Sequence, residues 1–319
     1  MKKKTLPEPK LASLSRSELL EKINIDNVSL LKSIGAGDLY DEMARPGAFC
    51  RFLVRFICGK RDREEIRKRT VKVLSFFAPS TLLRAYYRNS GCVVIGFNHP
   101  SLGEIFRLLY RGFRAFPDRD FLFPVNIPWY ETITPVIPLL KKAGITVAPI
   151  ITPKTESKLV KKFEGNEEKL KDVEHFKIAF ERKYMTEVKE CADKKGIIVV
   201  APSATRQADV FADDMARKGE GHIHPTMTLI AHRICRDPDA DVVFLPVTIF
   251  EPLFNDRKFN LFKNYNIYPC EPFEAPEICA LSSGHSRELD YRFLQRIDEI
   301  YARRGELVKV DILDEEAGS

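Results

Sequence analysis

The sharpest chemical signal in the chain is Asn98-His99-Pro100-Ser101-Leu102-Gly103-Glu104. A histidine and a carboxylate stand with four residues between them, the first of these a proline that can turn the chain. An imidazole oriented by a carboxylate can act as general base on a hydroxyl. The stretch has a second reading. Asn98 or Ser101 can cap a helix, with Glu104 as the capping-box acid that closes its first turn. The residues alone leave both readings open. A second stretch, Ala201-Pro202-Ser203-Ala204-Thr205-Arg206, follows an apolar run that begins at Gly196. Backbone N–H groups in a turn of small residues, with a guanidinium beside them, suit an anion. Arg206 can equally be a solvated surface arginine. Ser203 is not flanked by glycines as in a G-x-S-x-G elbow, so it is not expected to be a hydrolase nucleophile.

Two further features could carry chemistry. Val242 to Phe250 is an apolar run with Pro246 inside it. Proline in a strand suggests an edge, a bulge or a cavity wall. His222, His224 and His232 lie close in sequence and include an H-x-H pair. Two such residues on a strand share a face, as zinc ligands can. Pro225 starts a helix at once and no fourth ligand is evident. We therefore expect a loop histidine near the ligand and no metal.

Elements must hold these residues in place. His99 falls where the apolar run 92–97 gives way to the helical pattern Leu102, Ile105, Phe106, Leu108, Leu109. In α/β sheets ligands bind outside the carboxyl ends of strands. Strands are predicted at 93–97, 121–125, 145–150, 197–201 and 242–250, with a further candidate at 265–268. Helices are predicted at 102–113, 135–142, about 167–194, 226–236 and 286–303. This alternation indicates an α/β domain over residues 89–319, with a mixed central sheet flanked by helices. Before it, residues 1–88 read as a helical segment with no strand. Ser15 can cap a helix there, with Glu18 as its capping-box partner. No internal repeat is found.

The chain has 319 residues, 44% hydrophobic and 30% charged, as in ordinary globular proteins. The basic start MKKKTLPEPK is followed by no apolar stretch, so no secretory leader is expected. Seven cysteines stand at 50, 58, 92, 191, 235, 270 and 279 with no C-x-x-C, which suggests reduced thiols in a cytoplasmic protein. The net charge of +6 suits an anionic ligand or an anionic membrane surface. The stretch Gly47 to Lys60 fits the second partner. Phe49, Phe52, Leu53, Phe56 and Ile57 share one helical face, flanked by Arg51, Arg55 and Lys60. Such a helix either packs on a core or lies on a membrane interface.

Taken in order, the stretches resemble the four blocks of the glycerolipid acyltransferase family. Asn98 and His99 match the first block, with Glu104 in place of its usual aspartate. The strand 145–150 with Lys154 after it resembles the second. The third is similar to the Ala-Pro-Ser-x-x-Arg form of the plastid-type soluble glycerol-3-phosphate acyltransferases, although Ala208 stands where their second arginine lies. Pro246 and Val247 resemble the fourth. The likeness covers about residues 90–252. It implies an acyltransferase fold and transfer of a fatty acyl group from a thioester of CoA or acyl carrier protein to a hydroxyl of glycerol 3-phosphate or a related phospholipid precursor. It implies catalysis by His99 and Glu104. The acceptor's phosphate would be held by Arg206, Lys154, Ser203 and Thr205. An acyl cleft would lie near Leu102, Trp129, Ile137 and Val247. The expected partners are the acyl donor, an anionic glycerol phosphate or lipid, and a membrane surface touched through residues 49–57. No cofactor and no nucleic acid are expected. The departures at Glu104, Ser203 and Ala208 keep a second class in view: a non-catalytic member of the same fold that binds lipid or a membrane surface.

Overall fold

The computed structural model describes residues 36, 44–75, 91–98, 104–202, 223–237, 240–250, 266–282 and 287–304; the side chains of residues 44–50, 73–75, 104–107 and 266 lie outside that description. Two helices, α1 (Ala44–Cys58) and α2 (Arg63–Ser75), precede the sheet. The chain then runs β1 (Cys92–Phe97), α3 (Glu104–Ala115), β2 (Phe121–Asn126), α4 (Ile127–Ile133), a 3-10 turn (Thr134–Val136), α5 (Ile137–Lys142), β3 (Ile145–Ile150), α6 (Pro153–Lys162) and α7 (Glu167–Asp193). It continues through β4 (Ile197–Val200), α8 (Thr226–Ile234), β5 (Val242–Phe250), β6 (Asn266–Pro269), β7 (Phe273–Glu274), α9 (Ala275–Leu281) and α10 (Glu288–Ala302).

Among the described residues the strands form one seven-stranded sheet in the order β3-β2-β4-β1-β5-β6, with β7 also on β5. The first five pair in parallel, and β6 and β7 run antiparallel to β5. The protein is thus α/β with a mixed sheet flanked by helices. Buried strands covered on both faces read as continuous apolar runs, and β1, β4 and β5 are buried at every position.

Alternate strand residues feed two cores, as the period of two requires. Val93, Ile95, Phe97, Phe121, Phe123, Val147, Val199 and Val247 join one, with Ile57 of α1, Ile66 of α2 and Leu108 of α3. Cys92, Val94, Leu122, Ile198, Val200 and Phe244 join the other, with Met227 and Ile230 of α8 and Phe293 of α10. The long α7 serves both: Phe176 and Phe180 enter the first core, Tyr184 and Val188 the second. On the second face the ring of Phe293 of α10 packs against β1 at Gly96. A Cβ there would sit 2.3 Å from the ring, so only glycine fits.

Pro246 sits where the neighbour of β5 changes. Val243 and Phe244 pair with β7, and Val247 to Phe250 pair with β6. The missing N–H of proline falls at this break in the ladder. The Pro246 carbonyl accepts from Cys270 N at 2.8 Å, in the stretch that joins β6 to β7.

The amphipathic stretch in α1 splits its apolar side chains. Ile57 and Cys58 are buried, and Leu53 and Val54 pack on the core. Phe52 and Phe56 are 66% and 54% exposed. The apolar arc is wider than the groove between α4 and α5 that receives the helix, so part of it stays outside. Arg51 does not flank that face in water; its guanidinium donates to Thr132 O at 2.6 Å.

Candidate functional site

The site is made by two strands that part. β2 and β4 pair at only two rungs, Phe121↔Ile197 and Leu122↔Ile198. Beyond them β2 stays with β3 as far as Asn126, and β4 stays with β1 as far as Val200. The carboxyl halves of β2 and β4 therefore diverge. Pro124 stands just past the last shared rung, where β4 no longer offers a ladder partner. A cavity of about 1140 Å³ fills the opening.

Its walls come from both faces of the sheet. Phe123, Val125, Val147 and Val199 line it from the first core, and Val200, Tyr184 and Met185 from the second. Val54 of α1, Trp129 of α4, Leu140 of α5 and Leu229 of α8 also line it. Polar groups gather at one side: Lys154 and Glu156 of α6, Lys177, Glu181 and Arg182 of α7, and His224, Thr226 and Arg236 by α8. An apolar chamber with a few placed charges is the usual build of a small-molecule site.

The charges on this side are partly tied. Lys177 bridges Glu156, donating to its two carboxylate oxygens at 2.8 and 2.9 Å. Burial pushes the Glu181 carboxyl above its ordinary range, against the pull of Lys177. His224 opens to the cavity, yet the walls around it desolvate the ring. Burial first, then the positive Lys177 and Arg287, hold its pKa below the histidine norm, so it is neutral at pH 7. Its Nδ1 lies 2.8 Å from Thr226 Oγ1, and that hydroxyl reaches Pro202 O at 3.5 Å.

The start of α6 is fixed by an Asn-Thr clasp. Thr155 N–H donates to Thr152 Oγ1 at the helix cap. The Asn126 carboxamide, at the end of β2, meets the Thr155 hydroxyl at 2.9 and 3.1 Å. The clasp ties the ends of β2 and β3 together and places Lys154 in the first turn of α6, at the cavity.

The two chemical stretches leave from adjacent strands. β1 ends at Phe97 and β4 leads to Ala201, and both residues line the cavity. Asn98, next after β1, is buried. Its Nδ2 donates to Ile249 O at 2.7 Å, and its Oδ1 accepts from Ile249 N at 2.6 Å. Pro202 is also buried, with its ring beside Gly96. The starts of the two stretches are therefore neighbours, although about a hundred residues separate them.

Of the predicted site residues, Lys154 and Trp129 line the cavity. Ile137 and Val247 are buried in the first core, and neither is among the described residues that line the cavity. Glu104 opens α3, with its side chain outside the description. His99, Leu102, Ser203, Thr205, Arg206 and His222 lie outside the described residues. His224 bonds as above, and His232 Nε2 contacts Ser282 O.

Sequence reasoning missed most of the walls and the clasp. Thr152-Pro153 was a readable sign of a helix start. Nothing local announces that β2 and β4 part. No protein-family model matches the sequence, and no curated protein matches it.

Proposed function

We propose that the protein is an O-acyltransferase that moves a fatty acyl group from a thioester to a hydroxyl of glycerol 3-phosphate or a related phospholipid precursor. The observation that supports it is the convergence of β1 and β4 on one apolar cavity. Phe97 and Ala201 both line that cavity, and the stretches bearing His99 and Arg206 follow them within a few residues. A cavity of about 1140 Å³, against roughly 300–1,000 Å³ for most small-ligand sites, has ample room for a long alkyl chain.

In this reading His99 takes the proton of the acceptor hydroxyl as its oxygen attacks the thioester carbon. Glu104 orients the imidazole and stabilises the imidazolium. When the C–S bond breaks, the imidazolium returns the proton to the thiolate. Arg206 and Lys154, with Ser203 and Thr205, hold the acceptor's phosphate, and the cavity takes the acyl chain beside Trp129. The nucleophile is the substrate's own oxygen.

The test is incubation of the purified protein with labelled acyl-CoA or acyl carrier protein and a panel of glycerol phosphates, lysolipids and sugars. Transfer to a phosphate-bearing acceptor, lost in His99→Ala, is the expected result. Tight acyl-chain binding without transfer to any acceptor would favour the lipid-binding reading instead.

A further inference from the structure

We propose that the outer face of α1 docks on an anionic lipid bilayer through Phe52 and Phe56, with Arg55, Lys60 and Lys142 as its cationic rim. The two rings stack on the helix surface with centroids 6.4 Å apart. They are the two most exposed of the large apolar side chains among the described residues. Neighbouring exposed aromatics cost solubility unless they meet an apolar partner, and aromatic rings suit the headgroup boundary of a membrane.

Charge decides between a bilayer and a protein partner. The sequence of α1, ARPGAFCRFLVRFIC, contains no acidic residue. Arg55 is exposed three residues after Phe52, on the same helical side, and Lys60 is exposed in the turn that follows the helix. α5 packs against α1 and ends in Lys141 and Lys142. Lys142 is exposed, and its charge acts on the Cys58 thiol, which places it near the C-terminal end of α1. A cluster of cations around apolar rings complements an anionic leaflet. Arg61 and Glu65 form their own pair and add no net charge. Arg51 is held by Thr132 O and takes no part.

The position of α1 gives the contact a purpose. Val54, on the opposite side of the same helix, lines the cavity. The helix is thus both a chamber wall and the docking face. A lipid drawn from the bilayer would have one helix to pass.

Vesicle flotation of the full chain tests this, with phosphatidylcholine alone and phosphatidylcholine containing phosphatidylglycerol. Wild type should float with the anionic vesicles and stay down with the neutral ones. Phe52→Ser/Phe56→Ser should lower the bound fraction about tenfold or more. Arg55→Gln/Lys60→Gln/Lys142→Gln should remove the preference for anionic lipid, and ~0.5 M salt should do the same to wild type. Val160→Ser, an exposed apolar residue on α6, is the control and should float as wild type. Circular dichroism checks that each variant is folded. The proposal fails if wild type does not float, or if the double serine variant floats unchanged. It also fails if sedimentation shows a dimer that the serines disperse, since the rings would then meet a second copy.

Discussion

The carboxamide of Asn98 binds both backbone groups of Ile249, donating to its carbonyl at 2.7 Å and accepting from its N–H at 2.6 Å. A side chain thus takes the place of a strand rung just where β1 ends, so β1 remains anchored to β5 one residue past the sheet. Asn98→Ala would leave a buried N–H and a buried C=O of Ile249 unpaired. We expect a loss of about 3 kcal/mol in chemical denaturation. Asn98→Asp should be no milder, since a carboxylate cannot donate and its charge would be buried. If Asn98→Ala unfolds at the wild-type midpoint, the clamp is not holding the strand end.

The catalytic assignment predicts a loss of roughly 10²–10⁴ in kcat for His99→Ala. Glu104→Gln should lower kcat as well, because an amide cannot stabilise imidazolium by charge. Glu104→Asp should be close to wild type, having the same charge on a shorter arm. Arg206→Ala should raise the acceptor KM by about ten- to a hundredfold, the effect of losing a charged hydrogen bond worth roughly 1.5–3 kcal/mol. Steady-state kinetics on one acyl-CoA and one acceptor would separate the two kinds of effect.

Asp290 makes stability depend on pH. It is fully buried on α10 and accepts from Met227 N at 2.6 Å, Thr228 N at 3.2 Å and Thr228 Oγ1 at 2.5 Å. It thereby caps α8 from another helix. Burial outweighs these bonds and pushes its pKa up to about 6, from an ordinary 3.8. Between those values the folded chain holds a proton that the unfolded chain has released. Stability from this group is therefore fully present below about pH 3.8 and is lost as pH rises through about 6, by an amount of order 3 kcal/mol. The gap in unfolding free energy between wild type and Asp290→Asn should shift in favour of wild type as pH falls from 6 to 4. A pH-independent gap would sink the assignment.

The strands were the most legible part of the chain. The runs 92–97, 145–150 and 242–250 are apolar apart from Thr146 and Thr248, because β1 and β5 are buried at every position and β3 at most of them. The helix α4 was missed because it follows β2 without a linker, although Pro128 in its first turn is itself a start signal. The cap on α8 was hidden for another reason: Asp290 is more than sixty residues from the N–H groups it binds. Of the site, Lys154 and Trp129 could be named from sequence. The chamber itself could not, because it depends on where two ladders stop pairing. The apolar arc of α1 was visible, but not which half of it would be buried.

The cavity predicts selectivity by size. Leu140 on α5 is half-buried and lines the wall. Leu140→Trp should fill part of the space without disturbing the sheet. Each methylene denied burial costs ~0.8 kcal/mol, so excluding two should weaken a long acyl chain roughly tenfold while sparing a short one. Competition between acyl-CoAs of increasing length would read this, and equal weakening at every length would place the chain elsewhere.

The parting of β2 from β4 has a consequence for how such a protein changes over generations. The room between them is made by main chain, and ordinary residues such as Phe123, Val147 and Val199 form the walls. Among the described residues no glycine stands in the wall. Side chains there can grow or shrink by single substitutions while both flanking ladders keep their register. The size of molecule admitted is thus free to drift on its own, and a lineage can trade one ligand size for another without first passing through a damaged sheet.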